Sequence, residues 1–385
     1  MLDYLALEES LTEEERMIQE TAREFASDLR DDIADHYHDG TFPTAAIEQM
    51  GELGFYAPHL DSEWLPGVSE RAYGLVMQEL EACDSGVRSM ASVQGALVIY
   101  PIFAFGSDEQ KERWLPGLAS GELVGCFGLT EPDHGSNPAG METSAVSEDD
   151  GYRLNGSKTW ITNSPIADVA VVWGRTDGGD GPVRGFLVET DRDGVTTNKI
   201  DGKLSMRASI TGEIGLNDVW VPTENVLPAV EGMKGPLSCL TQARYGIAWG
   251  AVGAARDCFE TAREYATERD QFGGPIARFQ LQQDKLSEMA TQISLAQLLA
   301  YRLAELKADG TLRPQQVSMA KRNNVRMARN QARIAREMLG GNGITSDYSP
   351  MRHLANMETV YTYEGTHDIH SLIVGHDLTG IAAFE

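Results

Sequence analysis

Residues 362–370 read TYEGTHDIH and set one glutamate, Glu364, between an aromatic residue and a glycine. Two chemistries are open to this stretch. His367 and His370, with Asp368 beside them, could share a helix face and ligate a metal. A third strong ligand is not evident nearby, and His376 lies too far along the same helix to share a site with both. Thr366 suits the N-cap of a helix carrying Ile369, Leu372, Ile373 and Val374, and histidines in the first turn of such a helix more often hydrogen-bond than ligate. The other chemistry belongs to Glu364 alone. A carboxylate beside free helix amides is stabilised as the anion. Buried against an apolar surface it is pushed upward instead, as a general base working near neutrality requires. For an isolated glutamate a structural or surface role is the default, so the rest of the chain decides.

The elements that position such a group come from 385 residues, enough for two or three domains at about 150 residues each. The apolar fraction of 42% allows a sizeable core. Lys and Arg number 32 against 58 Asp and Glu, a net charge of −26, so nucleic acid and anionic membrane are not expected partners. The plain account of this acidity is a solvated surface; a sharper expectation is adaptation to high salt, where screening removes the self-repulsion. Cys83, Cys126, Cys239 and Cys258 form no CxxC pair, which fits a reducing compartment. The opening MLDYLALEESLTEEER lacks the basic and apolar regions of a secretory signal and is too acidic for a mitochondrial transit peptide. No apolar run reaches the ~18 residues of a membrane span, so a soluble cytoplasmic protein is expected.

Periodicity divides the chain into three blocks. Thr12 and Glu15 form a capping-box pattern ahead of Ile18, Ala22, Phe25 and Leu29, and further helices are expected over about 43–53, 70–83, 88–105 and 108–120. The texture then changes. YRLNGSKTWITNS, DVAVVWGRT, RGFLVET and EIGLNDVWVP are short, rich in β-branched and aromatic residues, and read as antiparallel strands within about 122–228, with DGGDGP (177–182) as a solvated turn. Helical period returns over about 236–268, 276–308, 313–339, 351–361 and 366–383, broken by GGNGI at 340–344. The expected domains are a helical 1–121, a β-domain 122–234 and a helical bundle 235–385. A Rossmann protein would alternate strand and helix throughout.

Five separated segments resemble the acyl-CoA dehydrogenases over nearly the whole chain: CFGLTEPDHGS (126–136), TWITNS (159–164), RDQFGGPIARFQ (269–280), EMLGGNGI (337–344) and YEGTHDI (363–369). The resemblance implies an α+β fold with an N-terminal helical domain, a middle antiparallel β-domain and a C-terminal four-helix-type bundle. It implies FAD as cofactor. Phe127, Leu129, Thr130, Gly135, Ser136, Trp160, Ile161 and Thr162 would lie around the flavin. Arg269, Phe272, Gln280, Glu337, Leu339, Gly340 and Gly341 would hold the diphosphate and adenine side, often from a neighbouring subunit. Thr366, Asp368 and Phe384 would complete the cofactor contacts. The chemistry is consistent, since a flavin needs donors at its polar edge and an apolar wall elsewhere, and a diphosphate needs an arginine or free amides. One departure is Asn137 where the family usually has aspartate; Asn can serve equally as a local cap. By the same resemblance Glu364 is the base that removes the α-proton of an acyl-CoA thioester. Its N–H and a ribityl hydroxyl of FAD would polarise the thioester oxygen. No metal is expected.

Within the family, DSGVRSMASVQ (84–94), CLTQARYGIAWG (239–250), AKRNN (320–324) and THDIH resemble the glutaryl-CoA dehydrogenases. Arg88 would bind the distal carboxylate of glutaryl-CoA, with Glu81 and Ser92 close by. Ser89 and Ser136 would lie along the thioester, Leu237 and Arg244 would border the CoA chain, and Gly365 would touch substrate. The bland alternative for Arg88 is a salt bridge to Asp84, one turn earlier. The implied reaction is oxidation of glutaryl-CoA followed by loss of CO2 to give crotonyl-CoA. Electrons would pass to an electron-transferring flavoprotein, and a homotetramer is implied. Rival expectations are a short-chain or other dicarboxylyl-CoA dehydrogenase without decarboxylation, an acyl-CoA oxidase, and a CoA-binding protein or transferase without redox chemistry.

Overall fold

The computed structural model describes residues 3–383, and Phe384 lies outside them. Helix α1 (Glu13–Asp28) opens on the expected capping box: the Thr12 hydroxyl accepts from the Glu15 amide at 3.1 Å, and Glu15 accepts from the Thr12 amide at 3.0 Å. Helix α2 (Arg30–Asp39) carries no sequence signature, because Ile33 is its one buried residue and no apolar stripe marks it. Helix α3 (Ala45–Glu52) and a small hairpin of β1 (Asp61–Ser62) and β2 (Leu65–Pro66) lead to α4 (Glu70–Cys83).

Asp84 then breaks the chain direction. Its backbone is extended, and its carboxylate accepts from the Gly86 amide at 2.7 Å, so the next helix starts three residues before the sequence pattern suggests. That helix runs from α5 (Ser85–Ser92) through a π-helical stretch (Val93–Ile99) into α6 (Tyr100–Phe105). Contrary to the sequence reading, Ser85–Phe105 does have the length and apolar character of a membrane span; 83% of that window is buried inside the fold, where it is a core helix. Helix α7 (Asp108–Ser120) closes the first block.

The middle block is a seven-stranded sheet of β3 (Gly125–Gly128), β4 (Ser144–Glu148), β5 (Gly151–Thr162), β6 (Val169–Arg175), β7 (Val183–Glu189), β8 (Val195–Lys199) and β9 (Thr211–Pro222). The order is β3-β6-β4-β5-β9-β8, with β7 paired to β6. Most pairs are antiparallel, as expected, but β3 and β4 each meet β6 in parallel. Strand β6 is buried from Val169 to Gly174, which explains its continuous apolar run. Strand β5 slips register against β9 between Lys158 and Ile161.

The bundle comprises α8 (Lys234–Glu268), α9 (Gln280–Ala308), α10 (Pro314–Met338), α11 (Ser349–Thr362) and α12 (His367–Thr379). Helix α9 begins later than the periodicity suggests because Ile276–Arg278 forms a 3-10 turn, and α12 stops at a left-handed Gly380. Helix α10 packs on α8, α9, α11 and α12, and α8 also packs on α4, tying the bundle to the first block.

Glycine permits that second contact. A Cβ on Gly253 of α8 would lie 1.9 Å from the Gln78 carbonyl oxygen of α4, a backbone atom that cannot swing away. Gly253→Ala should therefore destabilise the protein by about 1–3 kcal/mol through overpacking, read as a lower denaturant midpoint at unchanged slope. An unchanged midpoint would show that the two helices separate freely.

Candidate active site

Arg88 projects from α5 into the junction of α4, α8 and the loop before α12, and it is fully buried. Its Nε donates to Glu81 Oε2 at 2.6 Å, and Nη2 donates to the Tyr363 hydroxyl. Nη1 has no partner, nor has Glu81 Oε1. Asp84 is not the counterion. It is already engaged by Arg352 at 3.0 Å and Asn356 at 2.9 Å. Burial acts to lower the Arg88 pKa, yet Glu81, Tyr363 and Glu364 hold it above its ordinary value. Helix α8 makes room with Gly250, where a Cβ would sit 2.0 Å from Glu81 Oε2. Ser89 and Ser92 are buried on the same helix, and the Ser92 hydroxyl is unpartnered.

Glu364 lies in the short loop between α11 and α12 with a left-handed backbone, φ 51°, followed by Gly365 at φ 91°. A non-glycine residue held there costs of order 1–3 kcal/mol and needs surrounding bonds to keep it. Those bonds are present. Arg244 Nε donates to the Glu364 carbonyl at 2.7 Å, and Lys321 Nζ donates to the Tyr363 and Gly365 carbonyls at 2.9 Å each. Thr366 caps α12 by accepting from the Ile369 amide at 3.1 Å. The residue as a whole is partly exposed, but its Oε2 is buried without a partner. Burial raises its pKa; Arg88, Arg244 and Lys321 pull it down, and the net direction is upward.

The metal alternative does not survive this geometry. The His367 ring stacks on Tyr361 with centroids 4.4 Å apart, and His370 is wholly buried against the loop. Burial, with Lys321 and Arg244 nearby, pushes His370 down to about 2, so it is neutral. Among the described residues no group of three His, Cys, Asp or Glu could hold a metal ion.

Two of the expected flavin segments meet. The Thr130 carbonyl, just past β3, accepts from the Thr159 amide at 2.9 Å, which places Leu129 and Thr130 beside Trp160, Ile161 and Thr162. Phe127, Leu129 and Ile161 are buried, whereas the Trp160 indole is 62% exposed on a left-handed residue, φ 60°, at the slip in β5. An exposed indole on a bulged strand next to threonine hydroxyls offers an apolar wall with polar edge groups, and these residues fit FAD. Gly135 and Ser136 are exposed in the following loop. Asn137 stands at the N-cap of a 3-10 turn, but its side chain makes no capping bond, contrary to the expectation for it.

The other cofactor candidates lie elsewhere. Arg269, Phe272 and Gln280 are exposed between α8 and α9, with Phe272 at φ 52°. Gly340 and Gly341 belong to the same end of the bundle, since Asn342 donates to Tyr265 at 3.1 Å, one turn before Arg269. From Arg244 to Arg269 is 25 residues of α8, roughly 37 Å at about 1.5 Å per residue, so this group stands far from Glu364. Glu337 pairs with Lys285 at 3.4 Å on the surface, and Leu339 is core. Asp368 and Leu237 are exposed. Sequence reasoning did not single out Tyr363, Lys321 or Gly250. All three sit inside quoted motifs, but only their three-dimensional neighbours reveal what they do.

This architecture, with a carboxylate whose buried oxygen lies near an arginine and a separate sheet whose exposed indole fits a flavin, is that of a flavin-dependent acyl-thioester oxidoreductase. Family models for the acyl-CoA dehydrogenase N-terminal, middle and C-terminal domains match residues 12–122, 126–219 and 231–379. The chain belongs to the acyl-CoA dehydrogenase family. It is similar to the crystal structure of glutaryl-CoA dehydrogenase from Mycobacterium smegmatis, at 51% identity and TM-score 0.97 over 100% of this chain and 99% of that one. A glutaryl-CoA dehydrogenase structure from the same organism in complex with FADH2 is 47% identical, TM-score 0.97, with the same coverage. The short-chain specific acyl-CoA dehydrogenase of Mus musculus is 35% identical over 95% of this chain and 90% of that enzyme.

Glu364→Gln keeps the side-chain shape and cannot accept a proton. Flavin should stay bound while its reduction by substrate slows by at least the roughly 10²–10⁴-fold typical of acid–base catalysis. In the wild type the acid limb of kcat should lie above an ordinary glutamate, because the folded-state pKa is raised and the base is lost as pH falls through it. Stopped-flow reduction of the variant at the wild-type rate would place the base elsewhere.

Proposed function

We propose that this enzyme oxidises glutaryl-CoA and decarboxylates the product to crotonyl-CoA, passing electrons to an electron-transferring flavoprotein. The observation that carries the reading is Arg88. It is fully buried, and one edge of its guanidinium has no partner. An uncompensated N–H in a dry pocket is costly, and a second carboxylate is the group that would fill it. The similarity to the Mycobacterium smegmatis enzyme, over the whole chain, points the same way.

The chain's own residues account for most of the steps. Arg88 holds the distal carboxylate, with Glu81 fixing the guanidinium from behind. That anchors the acyl chain so that its α-carbon meets Glu364. Glu364 takes the α-proton, and its own N–H donates to the thioester oxygen as negative charge develops there. FAD is the cofactor, and it supplies the acceptor for the hydride leaving the β-carbon. Once the α,β double bond exists, the bond from the γ-carbon to the carboxylate can break. Its electron pair delocalises into the thioester and CO2 leaves. Glu364, now protonated, returns its proton to the γ-carbon.

The flavin ring would rest against Trp160 and Thr162 with Phe127, Leu129 and Thr130. Arg269 and Phe272 just past α8, Gln280 at the start of α9 and the Gly340–Gly341 turn lie at the end of α8 remote from Glu364. We read them as the diphosphate side for a neighbouring copy, in a homotetramer. The exposure of Phe272, 88% in the isolated chain, supports that arrangement.

A second reading, a short-chain acyl-CoA dehydrogenase without decarboxylation, draws on the Mus musculus relative. One variant separates the two. Arg88→Met should cost glutaryl-CoA oxidation about 2–5 kcal/mol in specificity constant, as truncation of a buried charge pair does. Butyryl-CoA oxidation should be similar or improved. If both substrates fall equally, Arg88 is structural and the glutaryl reading loses its support. If the wild type oxidises glutaryl-CoA without releasing CO2, the decarboxylating step is removed and the dehydrogenase remains.

A further inference from the structure

Three consecutive backbone carbonyls around the base are each held by a buried cation. Tyr363 and Gly365 are held by Lys321 of α10, and Glu364 between them by Arg244 of α8. Arg244 borders the expected CoA path. Lys321 has no such duty. It is 1% exposed, and both of its hydrogen bonds go to the peptide groups that flank Glu364.

We propose that Lys321 is a positioning residue for the reaction: by bridging the carbonyls on either side of Glu364, its ammonium holds the carboxylate where it meets the substrate's α-carbon. This rests on Glu364 being the base. The physical need is plain. Glu364 occupies a left-handed conformation that glutamate rarely adopts, and the next residue is a glycine, which leaves the chain free to relax. One ammonium bonded to both carbonyls fixes the peptide plane that enters Glu364, through Tyr363, and the plane one residue beyond it, through Gly365, while Arg244 holds the plane between them. An apolar side chain of similar length, such as methionine, could pack in the space but could donate to neither.

The same cation lies close enough to act on the base electrostatically. Lys321 lowers the Glu364 pKa, as do Arg88 and Arg244. In return, burial first, then Arg244 of α8 and Arg88 of α5, push Lys321 down to about 7 against the opposing pull of Glu364. Burial first, then Lys321 and Arg244, lower His370 of α12, and burial with Arg322 and Arg326, more than Lys321, lowers His367. The Tyr363 ring, 5.9 Å from Nζ, forms one wall. Loss of the proton at high pH would leave a neutral amine, a weaker donor to both carbonyls, and would raise the base at the same time.

The test compares Lys321→Met and Lys321→Arg with the wild-type holoenzyme. In Lys321→Met, kcat for substrate-driven flavin reduction should fall by about 10²-fold, the scale of a misplacement of about 1 Å, with KM little changed. Its acid limb should move to higher pH, because Glu364 has lost a neighbouring cation. Amide hydrogen exchange across residues 362–366, measured without substrate, should accelerate. Lys321→Arg should restore most of kcat, return the acid limb and carry the alkaline limb upward. Equal losses in both variants would overturn the proposal, as would a Lys321→Met protein with a lower Tm but an unmoved acid limb and unchanged exchange. Full activity in Glu364→Gln would overturn the base assignment and with it this role. That result is distinguishable, because the exchange measurement does not depend on which group is the base.

Discussion

Burial of charge between α4, α5, α8, α10 and the loop before α12 is the constraint on which the rest of the site depends. Glu81, Arg88, Arg244, Lys321 and Glu364 gather in a region with little access to water. Each charge taken out of water costs several kcal/mol unless it is paired and hydrogen-bonded. The pairing here is nearly complete, and its gaps are informative. Glu81 and Arg88 bond one another; Arg244 and Lys321 bond backbone carbonyls; one edge of Arg88, one oxygen of Glu81 and one oxygen of Glu364 stay open. With Glu364 ionised and Lys321 protonated, three cations face two anions, which leaves one positive charge for an incoming anion. The open groups are therefore where a substrate of that charge would be expected to bind.

The scaffold serves this arrangement through close backbone approach. Gly250 and Gly253 on α8 let that helix lie against Glu81 and against the Gln78 carbonyl of α4. The Asp84 break turns α5 so that Arg88 points inward, and the Asp84 carboxylate then binds Arg352 and Asn356 of α11. The helix that supplies Arg88 is thus tied to the helix that ends at Tyr363. A shift of α11 would move the base and the Tyr363–Arg88 bond together. This coupling is a reason for the pocket to be built from helices of both the first block and the bundle rather than from one domain.

Much of this was legible in the sequence, for physical reasons that differ by element. The long helices declare themselves because each must bury a stripe, and β6 because it is buried on both faces. Helix α2 was invisible, since a segment burying only Ile33 leaves no stripe to read. Glu364 stood out as the candidate base because it sits in a motif of distinctive composition. For Arg88 the resemblance placed Glu81 close by, whereas spacing alone offered Asp84, one turn away; the helix break at Asp84 rotates that carboxylate toward α11 and leaves Glu81, two turns back across the break, to meet the guanidinium. Local spacing predicts side-chain pairs only while the helix continues.

Lys321 shows the same limit from the other side. A lysine on a helix ordinarily reads as solvated, although Val317, Val325 and Ala328, at i−4, i+4 and i+7, place Lys321 on the buried stripe of α10. Its burial follows from α10 packing on four other helices at once, so even a position with a polar side chain ends up inside. An ammonium there must find acceptors. The nearest unfilled ones are the carbonyls of a loop that cannot form regular hydrogen bonds, because Glu364 and Gly365 both lie at positive φ. The strained loop and the buried cation each carry an unfavourable cost alone, and each removes part of the other's. A base loop held in this way can keep a conformation suited to proton transfer without a continuous helix running through it.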